Sequence, residues 1–347
     1  ASKLSSDNKH QILEKIRNEA TNITQKYAQQ VIFEAKKITY QDLRNLVEEV
    51  FIALHGRPGE DGALQKELQK VGLPYNGSGV ESSQITINKY ETNEILAKNS
   101  ILVAKHHLIF KDKWLSNKEE EISFLEKEFP YPLIAKPADD GCSSAVKKIK
   151  NREELEAYAE MSFREMDTFL PLPSQTLKLK AGEEFPKRTY FLVEELISQK
   201  DAIHFLEITG GMLTIKNADG SIDYQVFEPS ETLATGEVLS LEEKFLAGEG
   251  QNITPARFAK TPEENQRISS EVKKVLQKTA QILKVEGYCR IDAFVRVYAD
   301  ERVETIIIEV NSLPGMTPAT CIFHQAAIEN YKPYQFIDKI LEYGRGN

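Results

Sequence analysis

Four polar residues close two apolar stretches: Arg290 and Asp292 in YCRIDAFVRVY, and Glu309 and Asn311 in VETIIIEVN. The connection Ala299 to Arg302 is short enough for an antiparallel hairpin. A loop symmetric about Asp300 and Glu301 sets Asp292 opposite Glu309 and Arg290 opposite Asn311. Side chains alternate with period two, so all four share one face. Opposed carboxylates repel across roughly 4.5 to 5.5 Å between Cβ atoms, and something must offset this. Two readings stand side by side. Water screens the acids at a solvated strand end, or a hard divalent cation, magnesium or manganese, takes two carboxylates and an amide oxygen and bridges to substrate phosphates.

Other residues carry weaker signals. Lys136 ends the apolar strand PLIAKP ahead of DDGCSSA, whose Gly141, Cys142 and Ser143 would let backbone N–H groups approach a phosphate or would make an ordinary polar turn. The Walker A spacing is absent. His55 ends another apolar stretch with Glu60 five residues on, and a strand-end histidine is as readily structural. The stretch 242–256 reads as a lid tipped by Lys244 or as a plain flexible loop.

Positioning these groups requires a framework of alternating strands and helices. Apolar residues at Ile12, Leu13, Ile16, Ile23, Tyr27 and Val31 predict an amphipathic helix from Asp7 to about Gln30. Strands at VIFEAKKI and VEEVFIALHG, with a short helix between them, predict a parallel α/β layer. Such layers open on a strand, so a strand ahead of residue 1 is expected. Beyond lie a helix in GALQKELQKVG, strands at YFLVEELI, HFLEI and MLTI, a helix from Pro262 to Leu283, and the hairpin. Residues 161–186, with Pro171 and Pro173, read as an irregular insertion.

Composition narrows the class. A net charge of −9 over 347 residues, with no basic stripe, argues against nucleic acid or an anionic membrane as partner. Cys142, Cys289 and Cys321 show no paired spacing, which suits a reducing compartment and a cytoplasmic location. No apolar run approaches the ~18 residues of a membrane span.

Four segments carry a resemblance. HGRPGEDGALQKELQKVGLPYNGSG is similar to H-G-x-x-G-E-D-G followed by P-Y-x-G-S, IAKPADDGCSS to V-K-P-x-x-x-G-S-S, GYCRID to G-x-x-R-x-D, and EVNSLPGMT to E-x-N-x-x-P-G-M-T. From about Val47 onward the chain resembles the D-alanine-D-alanine ligases of the ATP-grasp superfamily.

The resemblance implies an ATP-grasp fold of mixed α/β and α+β character. A partial Rossmann-like domain (residues 1–82, first strand missing) would precede a central subdomain (83–189, with insertion 161–186) and a C-terminal subdomain (190–347). It implies ligation of two D-alanines through D-alanyl phosphate for peptidoglycan synthesis, with ATP and Mg2+ or Mn2+ as cofactors. Small-molecule substrates and a homodimer are the implied partners.

By motif, Asp292, Glu309 and Asn311 would hold metal, Asn311 also nucleotide, while Lys89, Lys136 and the Gly141, Cys142 and Ser143 loop would hold phosphates, Ser143 also near the chemistry. Glu194, with Glu195 and Ile197, would meet adenine, and Asp201 the ribose. Arg290 and the Gly315 N–H would stabilise the oxyanion, and Lys244 would reach the γ-phosphate. His55, oriented by Glu60, and Asp7 would face the first substrate, and Thr320 and Cys321 the second.

Departures bear on the second substrate. Phe245 stands where many members have a lid tyrosine, Cys142 replaces a serine, and Thr320 replaces another. The alternatives are a relative making D-alanyl-D-lactate or another dipeptide, and a non-catalytic nucleotide-binding homologue.

Overall fold

A computed structural model describes residues 37–54, 56–139, 145–180, 182–233, 252–317 and 320–345, with four further residues between 14 and 22. Of the helix expected from Asp7 only Glu14, Asn18, Thr21 and Asn22 are described, all four helical, and most of the strand expected at VIFEAKKI lies outside the described residues.

Two sheets organise the chain. Strands β1 (Leu102–Val103), β6 (His204–Lys216), β7 (Ile222–Val226), β8 (Ser230–Thr232), β9 (Asn252–Ile253), β10 (Tyr288–Val297) and β11 (Val303–Asn311) form a seven-stranded sheet. Its order is β1-β11-β10-β6-β8-β9, with β7 also on β6. Helix α8 (Pro262–Ile282) packs Ile268, Val272 and Leu276 against Ile208, Ile291 and Ala293, while α9 (Cys321–Ile328) and α10 (Pro333–Arg345) bring Ile322, Phe336 and Ile340 to Leu213 and Tyr288. The helix expected from Pro262 is therefore present: Thr261 caps it by accepting from the Glu264 N–H, and Pro262 occupies the first turn, where a missing N–H costs nothing.

A four-stranded antiparallel sheet, β2 (His106–Phe110), β5 (Tyr190–Glu195), β3 (Leu133–Lys136) and β4 (Lys147–Ile149), lies on α5 (Lys111–Glu128) and α6 (Arg152–Phe163). Helix α7 (Pro171–Thr176) corrects the expectation that residues 161–186 are irregular, and α6 itself extends to Phe163. The cause is apolar anchoring: Phe163, Leu177 and Phe185 are buried in the core of this sheet.

Two expectations about strands are also corrected. HFLEI and MLTI are one strand of 13 residues, because Gly210 and Gly211 are extended and are glycine for want of space. A Cβ would lie 2.4 Å from Leu276 Cδ1 at Gly210 and 2.3 Å from Gln325 Oε1 at Gly211. Conversely, VEEVFIALHG contributes only a single parallel bridge, Val50 to Tyr75, among the described residues. Next to it the fully buried Asn76 accepts from the Ile52 N–H and donates to the Ile52 carbonyl at 3.2 Å, a side-chain amide standing in for a neighbouring strand. Around this segment, α1 (Tyr40–Leu46), α2 (Ala63–Lys70), α3 (Val80–Ile87) and α4 (Lys89–Lys98) lead into β1. The short helix expected before VEEVFIALHG and the one expected in GALQKELQKVG are α1 and α2.

Candidate active site

The acids meet on the hairpin as the sequence predicts, Asp292 opposite Glu309 and Arg290 opposite Asn311. The turn differs. Val297 pairs with Val303, so the loop is centred on Asp300 alone, and Glu301 takes φ +68° to close it. One extra residue on β11, a bulge opposite the Asp292 to Ala293 step, then restores the pairing at the acids. Without it this turn would set Asp292 against Ile308.

Two protein cations stand beside the two carboxylates. Arg290 grips Asp292 bidentately, Nε to Oδ1 at 3.1 Å and Nη2 to Oδ2 at 3.0 Å, and its Nη2 lies 3.6 Å from Glu309 Oε1. Lys89 Nζ lies 3.6 Å from Glu309 Oε2. Burial works against the Arg290 charge, but the fields of Asp292 and Glu309 prevail and hold the guanidinium more firmly protonated than free arginine. Thr209 on β6 donates its hydroxyl to Asp292 Oδ1 at 2.6 Å, and Asn311 Oδ1 accepts from the Leu313 N–H at 3.0 Å. Among the described residues no three His, Cys, Asp or Glu side chains cluster for a metal. The candidate donor set is two carboxylates completed by the Asn311 amide, and these hard oxygens fit magnesium or manganese.

A second buried ion pair lies on the four-stranded sheet. Lys136 Nζ is 2.7 Å from Glu194 Oε2, and Asn93 on α4 donates to Glu194 Oε1 at 3.1 Å. Register explains the meeting, since Lys136 pairs with Leu192 and Glu194 with Ile134 on adjacent strands. The Lys89 N–H, at the start of α4, donates to the Ala138 carbonyl at 2.7 Å and so joins this region to the hairpin acids. Glu195 accepts from the Lys105 N–H at 2.9 Å, Ile197 is half-buried, and Asp201 is exposed in the connection to β6.

Arg57, from the loop holding Glu60, donates to the carbonyl and to Oδ2 of Asp139, both at 3.0 Å. Glu60 is buried beside Tyr288. Thr320 immediately precedes α9, its hydroxyl donating to the Thr317 carbonyl at 2.8 Å instead of capping the helix, and Cys321 lies close enough to Arg290 to influence its charge. Gly315 is half-buried in the loop between β11 and α9. Asp7, His55, Gly141, Cys142, Ser143, Lys244 and Phe245 lie outside the described residues.

Three contributors escape sequence reading. Thr209 and Asn93 look like ordinary strand and helix residues, and Gln325 on α9 donates to the Thr209 carbonyl at 2.8 Å and to Ser230 at 2.9 Å. The Gly210-Gly211 pair was the available signal for the last of these, because it marks where a neighbour approaches the backbone.

The chain matches the family models "D-ala D-ala ligase N-terminus" over residues 2–78 and "D-ala D-ala ligase C-terminus" over residues 95–170 and 187–342. The unmatched residues 171–186 hold α7. A D-alanine–D-alanine ligase of Chlorobaculum tepidum is 31% identical over 291 residues, 84% of this chain and 68% of that protein. One from Caldicellulosiruptor bescii is 28% identical over 296 residues, 85% of this chain and 69% of that protein. Among solved structures, VanG D-Ala:D-Ser ligase from Enterococcus faecalis gives a TM-score of 0.62 at 21% identity, covering 86% of this chain and 73% of that one. The Bacillus anthracis D-alanine–D-alanine ligase complexed with ATP gives 0.59 at 23% identity, covering 87% and 81%. At these identities the two structures show the fold alone.

Proposed function

Because the chain belongs to the D-alanine–D-alanine ligase family of ATP-dependent enzymes, we propose that it joins two D-alanines at the expense of ATP, for peptidoglycan. The observation that carries this reading is the gathering of Arg290, Asp292, Glu309, Asn311 and Lys89 at one end of the hairpin. An arginine beside the metal acids is a cationic donor of the kind that acyl transfer draws on for an oxyanion.

In the proposed mechanism Asp292, Glu309 and Asn311 would hold the divalent cation, which would neutralise phosphate charge. Lys89 and Lys136 bind phosphates, and Glu194, tied to Asn93, orients the adenine. Arg290 and the Gly315 N–H receive the charge that develops when the second substrate's amine attacks the carbonyl carbon of D-alanyl phosphate. Collapse of that adduct breaks the acyl C–O bond, releases inorganic phosphate together with the amine's proton and leaves the peptide bond. Thr320 and Cys321, at the head of α9, face the second substrate. The reaction would run in the cytoplasm, and no described helix is long and apolar enough to cross a membrane.

The second substrate is the finer point. Phosphate release with ATP and magnesium, measured with D-alanine alone and with D-alanine plus D-serine, D-lactate or L-amino acids, decides it. D-alanine alone is expected to suffice. Turnover only with D-serine or D-lactate added would replace the D-alanyl-D-alanine assignment. Tight ATP binding with no turnover on any combination would favour a non-catalytic homologue.

A further inference from the structure

We propose that Arg290 and Lys89 are resident counterions of the Asp292–Glu309 pair, which the divalent cation displaces only when nucleotide phosphates arrive to receive them. The inference rests on the reading of these acids as the metal site. Two carboxylates carry −2, and the Arg290 guanidinium and Lys89 ammonium, 3.0 to 3.6 Å away, carry +2. Among the described residues these four charges cancel. Both Asp292 oxygens are engaged, Oδ1 by Thr209 and Arg290 and Oδ2 by Arg290, and the side chain is 7% exposed.

A bare divalent ion would have to break the bidentate pair and strand two cations next to itself, an arrangement a buried site penalises heavily. Nucleotide phosphates change the balance. They offer Lys89 and Arg290 anionic partners in exchange for the carboxylates, and the carboxylates then take the metal. Lys89 is placed for this, because its own N–H holds the Ala138 carbonyl, two residues beyond Lys136, the other lysine expected at the phosphates. Metal and nucleotide binding are then positively coupled, and Arg290 leaves Asp292 only when nucleotide is bound.

The test is Mn2+ binding by the full chain, followed by electron paramagnetic resonance with and without a non-hydrolysable ATP analogue. Without nucleotide the wild type is expected to bind Mn2+ weakly, and Arg290→Ala and Lys89→Met each to bind it about tenfold more tightly, since each removes a positive charge beside the acids. The gain on adding nucleotide should shrink in both variants. Equal or weaker nucleotide-free binding in both variants, with normal wild-type binding once nucleotide is present, would overturn the exchange. Glu309→Gln is the control. If it leaves Mn2+ binding with nucleotide unchanged, the metal site itself is wrong and the exchange falls with it. Should Arg290→Ala fail to fold, Lys89→Met, at the first residue of α4 and outside the strands that carry the acids, carries the test alone.

Discussion

At the scale of single residues, the site depends on a hydroxyl as much as on its charges. Thr209 gives Asp292 Oδ1 a 2.6 Å hydrogen bond, which fixes one carboxylate oxygen while Arg290 spans both. Thr209→Val removes that donor with little change of shape. Turnover is expected to fall roughly tenfold, with the magnesium requirement raised, since a hydrogen bond to a charged group contributes about 1.5–3 kcal/mol. A magnesium titration of the steady-state rate checks this, and an unchanged half-saturation point would remove Thr209 from the site. Asp292, Glu309 and Arg290 were legible in the sequence because charged residues stand out in apolar strands. Thr209 was not, since threonine is a common strand residue and its role comes from pairing with a segment 83 positions away.

At the scale of elements, the hairpin shows how a sequence reading can reach the right pairing by a wrong path. The turn is centred one half-step from where symmetry predicts, and the bulge on β11 cancels the error at the acids. Bulges leave little trace in an all-apolar run such as TIII, so only the end points were readable. The long strand β6 was missed for a related reason, because glycine in a strand reads as a break until the neighbours are known. Here Gly211 leaves room for Gln325, whose amide ties α9 to the Thr209 carbonyl. Gly211→Ala would force Gln325 and Ile322 aside and is expected to cost roughly 1–3 kcal/mol. It should also raise KM for the second substrate, since Thr320 begins the same helix. Denaturant unfolding reads the first effect and substrate titration the second, and an unperturbed midpoint would show that α9 yields freely.

At the scale of the molecule, the two sheets could be anticipated as separate regions, but the contacts by which a helix joins them could not, because they are long-range and polar. Helix α4 buries Leu96 in the core of the seven-stranded sheet and sends Lys89 to Glu309. It also reaches the smaller sheet through the Lys89 N–H to Ala138 and through Asn93 to Glu194. Asn93→Ala is expected to raise KM for ATP several-fold with kcat little changed, as removal of a buried hydrogen bond beside an ion pair loosens binding more than chemistry. An equal fall in kcat would mean that the tie also serves the reacting groups. The same arrangement has a mechanical consequence. With one end on the large sheet's acid and its flank on the small sheet, α4 is a lever whose fulcrum is Leu96. A tilt of the smaller sheet as it closes over nucleotide would be delivered, through one rigid turn of helix, as a displacement of the ammonium at Glu309.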